Sequence, residues 1–380
     1  MNLKKILLPF LLLLLLLPAT SFAQETLRNR MDYVFEVFRS LFYYTADEDR
    51  FKDPDNREEI FRLIEELRTN FNAHELKTSD YSKDPGYLSA LESLRRVLDD
   101  SRHRFAEGRH GYALWRLRSI PGYCITCHVR YEVPIDFSTE SMEDYELSSF
   151  ELGQFLMASR QFDKASEALL EVVEDPKERF NRMEALRKWM VIYTRVNPDP
   201  QHALTVLTRL RSKVDFSTNE EEEIKGWIRS LRRWQRESGA QISTLRRAEA
   251  LMTQGLQMQE SRLDGNGLVE LLRATSLLHK LMERSAPTGS DRARALYLLG
   301  RSYTELTDVF TYEMPEIFLR QCIRQHPGTE DAKNCYRIYS ENVTMGYSGS
   351  GGTRIPGDIQ AELKELYDLA FGIPTLPTQG

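Results

Sequence analysis

Residues 110–128 read HGYALWRLRSIPGYCITCH, and the fold is decided by how this stretch is read. Ala113, Leu117, Cys124 and His128, with Tyr131 just beyond, share one face at a period of about 3.6 residues, the mark of an amphipathic helix. Pro121-Gly122 interrupts the run, because proline removes a backbone donor and clashes with the turn before it. The expectation is a helix starting near His110, a kink or break at the proline, and a second helical piece carrying Cys124, Cys127 and His128.

Toward the N-terminus three further amphipathic segments precede this one. The first carries Leu27, Met31, Val34, Phe38 and Leu41, and Asp53-Pro54-Asp55 ends the connection after it. The second presents Ile60, Ile64, Leu67 and Phe71. The third runs from Tyr87 to Phe105, opened by Asp84-Pro85-Gly86 and closed by Gly108, with Leu88, Leu91, Leu94 and Leu98 expected inward. Four antiparallel helices with short connections predict a bundle over residues 24–140, and a bundle core is a natural seat for a cofactor.

Toward the C-terminus, Glu132 to Met142 holds Pro134 and a cluster of Ser, Thr and acidic residues, which reads as a linker. Beyond it Leu152-Gly153 is followed by Leu156, Ala165, Leu169 and Pro176. A second run has Leu296, Leu299-Gly300, Tyr303 and Pro327, with another helix beyond Thr329; between the two, Met183 to Lys280 is helical with weaker matches such as Ala203. Small residues at these intervals let paired helices approach closely. Residues 141–375 thus resemble a tetratricopeptide-like α-solenoid, although leucines replace both aromatics of the first copy and Ser149 stands at the initial Trp position. The resemblance implies paired helices with a concave surface for a protein partner. The fold class expected for the whole chain is all-α: a four-helix-bundle domain followed by this repeat region.

The 380 residues suffice for two domains, with 41% apolar and 28% charged residues. A formal charge of −6 argues against nucleic acid as a partner. Lys4 and Lys5 precede an apolar stretch from Ile6 to Leu17, shorter than the roughly 20 residues a membrane span needs. Pro18 follows, then Ser21-Phe22-Ala23 with small residues where a signal peptidase reads. Residues 1–23 are therefore expected to be a signal peptide cleaved after Ala23, giving a periplasmic or otherwise exported chain with no membrane span.

Cys-Ile-Thr-Cys-His carries the chemistry. One helical turn brings both sulfurs to one edge of a porphyrin, where they add across its two vinyl groups, and sets the adjacent imidazole beneath the iron. Cys124, Cys127 and His128 are accordingly expected to hold one covalent haem c, His128 as proximal ligand. Against this stand a dithiol redox pair, which expects a βαβ pattern that the sequence lacks, and zinc, which expects a second Cys-x-x-Cys.

A motif that closes its domain after about 100 residues of helix resembles the class II c-type cytochromes, the cytochrome c-prime family, whose motif lies on the last helix of a four-helix bundle. That family commonly has an aromatic residue three positions after the histidine and then a basic one; Tyr131 fits and Glu132 departs. The resemblance covers about residues 24 to 135 and implies a distal residue on the first helix. Met31 is the candidate sixth ligand, a thioether that would raise the reduction potential. Its spacing with Leu27, Val34 and Phe38 equally suits a core methionine. An arginine one turn before the distal residue is common in the family, and Arg30 would then point to Val34. With Met31 in the core, the distal side is open to small gases or filled by Val34 or Phe35. His74, His103 and His110 are lesser candidates for the distal position and read more readily as surface histidines.

Cys322 and Cys335 lie on successive helices around Pro327-Gly328 and are expected to form a disulfide, with two buried thiols as the alternative. Glu220 to Glu223 follow Ser217-Thr218-Asn219 and read as a helix cap. Arg229, Arg232, Arg233 and Arg236, beside Trp227 and Trp234, read as a solvated basic face, and Gly346 to Gly352 as a mobile loop before a last helix from Asp358 to Phe371. No catalytic residue set is visible. The function expected is an exported mono-haem c-type cytochrome that transfers electrons, its repeats docking a redox partner or an envelope complex. The alternatives are a sensor of nitric oxide or carbon monoxide and an envelope scaffold with an accessory haem.

Overall fold

The structure, a computed structural model, describes residues 19–72, 76, 85–130, 145, 147–237, 243–260, 264–311 and 313–372. Residues 1–18 of the expected signal peptide (residues 1–23), the linker at 132–142, His74 and Tyr131 lie outside the described residues.

Helix boundaries here follow from a few side chains. Helix α1 spans Ala19–Ala46. Asp47 caps α2 (Glu48–Lys52) by accepting from the Arg50 N–H at 2.6 Å, and Asp53 starts a 3-10 turn over Pro54–Asn56 that leads into α3 (Arg57–Phe71). Helix α4 (Pro85–Ala106) ends at Gly108, whose φ of +77° is left-handed. The interrupted stretch forms two helices, α5 (His110–Leu117) and α6 (Ile120–His128). The break falls at Arg118-Ser119, so Pro121 sits in the first turn of α6, where its missing N–H costs nothing. The freed Arg118 donates to the Thr45 carbonyl at 2.8 Å, placing a cation at the C-terminus of α1.

The chain continues as α7 (Ser149–Ala158), α8 (Phe162–Glu174), α9 (Arg182–Val191, then a wider π-helical turn over Ile192–Val196), α10 (Pro200–Lys213) and α11 (Thr218–Arg236). After these come α12 (Thr244–Gln257), α13 (Leu268–Ser285), α14 (Gly289–Thr304), α15 (Met314–Gln325), α16 (Glu330–Gly346) and α17 (Gly357–Phe371). Among the described residues the chain is thus all-helical, apart from a short ribbon pairing Ser348–Gly349 with Gly352–Thr353. The ribbon stands where the glycine-rich segment reads as a loop; Gly352 turns the backbone at φ +94°, and Ser348 Oγ bonds Thr353 Oγ1 at 2.6 Å. Among the described residues no helix is long and apolar enough to cross a membrane.

Successive helices of the C-terminal half pack as hairpins, α7 on α8, α12 on α13, α14 on α15 and α15 on α16. Glycine lets three of these pairs close. A Cβ on Gly153 would lie 2.8 Å from Leu169 Cδ2, one on Gly300 2.6 Å from Leu319 Cδ2, and one on Gly255 3.0 Å from Leu271 Cγ. The first two glycines stand out in the sequence; Gly255 does not. Tyr303 stacks on Phe318 with centroids 5.5 Å apart, while its hydroxyl accepts from buried Arg195 at 3.0 Å and bonds His279 Nε2 at 2.8 Å. Cys322 and Cys335 are buried and bonded, their Cα atoms 6.4 Å apart.

Three expectations need correction. Leu88 is 40% exposed, because Tyr87 and Ala90 take the buried positions at the start of α4, whereas Leu94 and Leu98 are buried as expected. Trp227 lies in the core with its Nε1–H on the Gly265 carbonyl at 3.0 Å, and Arg233 leaves the basic face to pair with buried Glu270 at 2.9 Å. Ser217 and Glu220 do form a capping box, yet Glu223 belongs to the core and holds Arg187 at 2.8 Å. Burial raises its carboxyl pKa against the pull of that guanidinium.

The two halves are not held apart. α6 packs on α7, α4 packs on α15, and Tyr123 donates to Glu313 Oε1 at 2.6 Å.

Candidate cofactor-binding site

Helix α6 is nine residues long and carries Cys124, Cys127 and His128. All three are half-buried, and they line a cavity walled by α1, α3 and α4. From α1 come Met31, Val34, Phe35 and Phe38; from α3, Leu67 and Phe71; from α4, Tyr87, Ala90, Leu91 and Leu94. With every gap between atoms and the solvent at its mouth counted, the space measures at most about 1030 Å³, and its walls are mainly apolar.

His128 is fixed from outside α1 to α6. Its Nδ1–H donates to the backbone carbonyl of Ala158, at the end of α7. That bond sets the tautomer and leaves the lone pair on Nε2, the arrangement found for metal-bound imidazoles. Arg160, in the turn between α7 and α8, donates from Nη1 to the His128 carbonyl at 2.8 Å and lines the same cavity. Its φ of +63° is rare for a residue with a side chain. Burial, and the Arg160 charge after it, hold the imidazole pKa down to about 4, although the carbonyl bond acts the other way. His128 is therefore neutral at neutral pH. Burial, reinforced by the neighbouring Cys127, pushes the Cys124 thiol up to about 12, so it stays protonated.

The residues singled out in the sequence divide cleanly. Cys124, Cys127, His128 and Met31 share one cavity, as do Val34 and Phe35. Arg30 bonds Asn70 Oδ1 at 2.7 Å and ties α1 to α3. His103 is exposed beside Glu107, and His110 stacks on Phe105 at 4.7 Å; neither lines the cavity. Ala158 and Arg160 were not foreseen. A backbone acceptor has no residue signature, and nothing in the local pattern marks Arg160 as left-handed.

A porphyrin fits this donor set. The walls are apolar; two thiols and a neutral imidazole stand on one side, and a thioether shares the space. Among the described residues no three His, Cys, Asp or Glu side chains converge as a metal-ion cage would require. Comparison with known proteins returns no match, whether to a family model, to a curated protein or to a solved structure.

Proposed function

We propose that the chain is an exported mono-haem c-type cytochrome that transfers electrons. The observation that carries this reading is the convergence of Cys124, Cys127, His128 and Met31 on one apolar cavity. Cys124 and Cys127 would hold the haem through thioether bonds, and His128 and Met31 would ligate its iron. The haem would supply one-electron redox chemistry. The protein's own residues orient the imidazole through the Ala158 carbonyl, keep it neutral by burial, and line the space with the aromatic rings of α1.

In this reading α1, α3, α4 and the α5–α6 pair form a four-helix bundle resembling class II cytochromes, and the later hairpins form a tetratricopeptide-like region that docks a redox partner. The glycine–leucine contact repeated in three hairpins supports the second assignment. The basic and apolar pattern of residues 4–23 supports export.

The test is expression in a host that matures c-type haem, followed by acid–acetone extraction. Retained red colour and a low-spin spectrum indifferent to carbon monoxide are expected. Complete loss of colour on extraction, or its persistence after Cys124→Ser with Cys127→Ser, overturns covalent attachment. A high-spin spectrum that shifts with carbon monoxide replaces electron transfer with gas binding.

A further inference from the structure

We infer that Arg160, which lies outside the cavity's four-helix wall, is a positioning residue that raises the reduction potential of the site. The inference rests on the haem reading above and goes past it, because it assigns the tuning of that site to the C-terminal half of the chain.

Three observations meet in the turn between α7 and α8. The Ala158 carbonyl holds the Nδ1–H of His128. Two residues on, Arg160 donates to the carbonyl of the same histidine at 2.8 Å, so side chain and backbone of His128 are both gripped by one turn. Arg160 then lines the cavity that Cys124, Cys127 and His128 face. Its backbone at φ +63° is a conformation an L-residue with a long side chain rarely adopts, and here the surrounding contacts hold it in place. The anchoring of α7 is substantial: Phe155 is fully buried and meets Phe35, Phe38 and Phe42 of α1 with ring centroids 5.8, 5.6 and 5.1 Å away.

Arg160 is half-buried on the wall of an apolar cavity, so its charge is screened less there than in open water and acts on a charge that changes nearby. Reduction takes the iron from ferric to ferrous by adding one electron, which lowers the positive charge of the site by one unit. Arg160 repels the ferric state more than the ferrous state and thereby favours reduction. The Ala158 bond belongs to the backbone and survives replacement of the arginine side chain, so the charge can be tested separately.

The experiment is a spectroelectrochemical titration of the full-length haem-loaded chain and of R160Q, R160G and R160K. R160Q keeps a donor of shorter reach without charge, R160G relieves the left-handed backbone, and R160K restores the charge alone. A fall of at least tenfold in the reduction equilibrium constant, which is about 59 mV for one electron, is expected for R160Q and R160G. Recovery of at least half that shift is expected for R160K. If R160G does not fold, the glutamine–lysine pair decides. Potentials for R160Q and R160K that both stay within twofold of the parent overturn the inference while leaving the haem reading intact. So does an R160K that falls as far as R160Q. A parent chain whose colour is lost on acid–acetone extraction overturns the haem reading, and this inference with it.

Discussion

The helices before residue 130 and the hairpins after residue 147 are built from the same material and packed to opposite ends. Both use apolar stripes at helical spacing, and both bury aromatic rings. In the hairpins the glycines at 153, 255 and 300 bring helices so close that a methyl group would collide with a leucine. Around α6, by contrast, Met31, Phe35, Phe38, Leu91 and Leu94 line a cavity. Periodicity decides which face turns inward; the size of the residues at the contact decides how closely the helices approach.

The contrast breaks or holds on measurements made with the haem-free chain in urea. The largest effect is expected from Leu299→Ala, where a fully buried leucine leaves a new cavity and costs about 4 kcal/mol; Leu94→Ala, on the wall of an existing void, should cost about 2 kcal/mol. Equal losses would mean that the cavity is closed in solution. Replacing Cys322 and Cys335 by serine opens a loop spanning 13 positions and should cost about 3 kcal/mol, read as a lower midpoint. The visible spectrum of the haem-loaded chain should not change, and a change would tie the far hairpins to the iron. Gly300→Val meets Leu319 and should cost about 2 kcal/mol. Smallest is Gly111→Ala in α5, where nothing stands within 4 Å and the helix gains about 0.5 kcal/mol. A loss there would place an unseen neighbour against that face.

Much of the architecture is legible before any coordinates. The interruption between α5 and α6, the Ser217–Glu220 cap and the meeting of Cys322 with Cys335 all follow from local rules acting over a few residues. So does the placing of Cys124, Cys127 and His128 on one turn of helix. What escapes is set by tertiary packing. Leu88 loses its expected burial because Tyr87 and Ala90 cover the core at the start of α4, while Leu94 and Leu98 keep theirs. Glu223 sits in an acidic run that looks like a solvated cap, and only the approach of Arg187 from another helix carries it inside. The site shows the same limit: its four side chains can be picked out from residue type and spacing, whereas the carbonyl of Ala158 becomes an acceptor only by virtue of where α7 ends.

That acceptor lies 30 residues after the histidine it orients. A polypeptide emerges from its N-terminus, so the pentapeptide is exposed well before the carbonyl that will steady its ring has been made. Until α7 has folded back, the imidazole is free to choose either tautomer and any heading. If the chain holds haem as proposed, its maturation has a natural checkpoint: a product cut short between the two points would carry every proposed ligating side chain, yet lack the part that aims one of them.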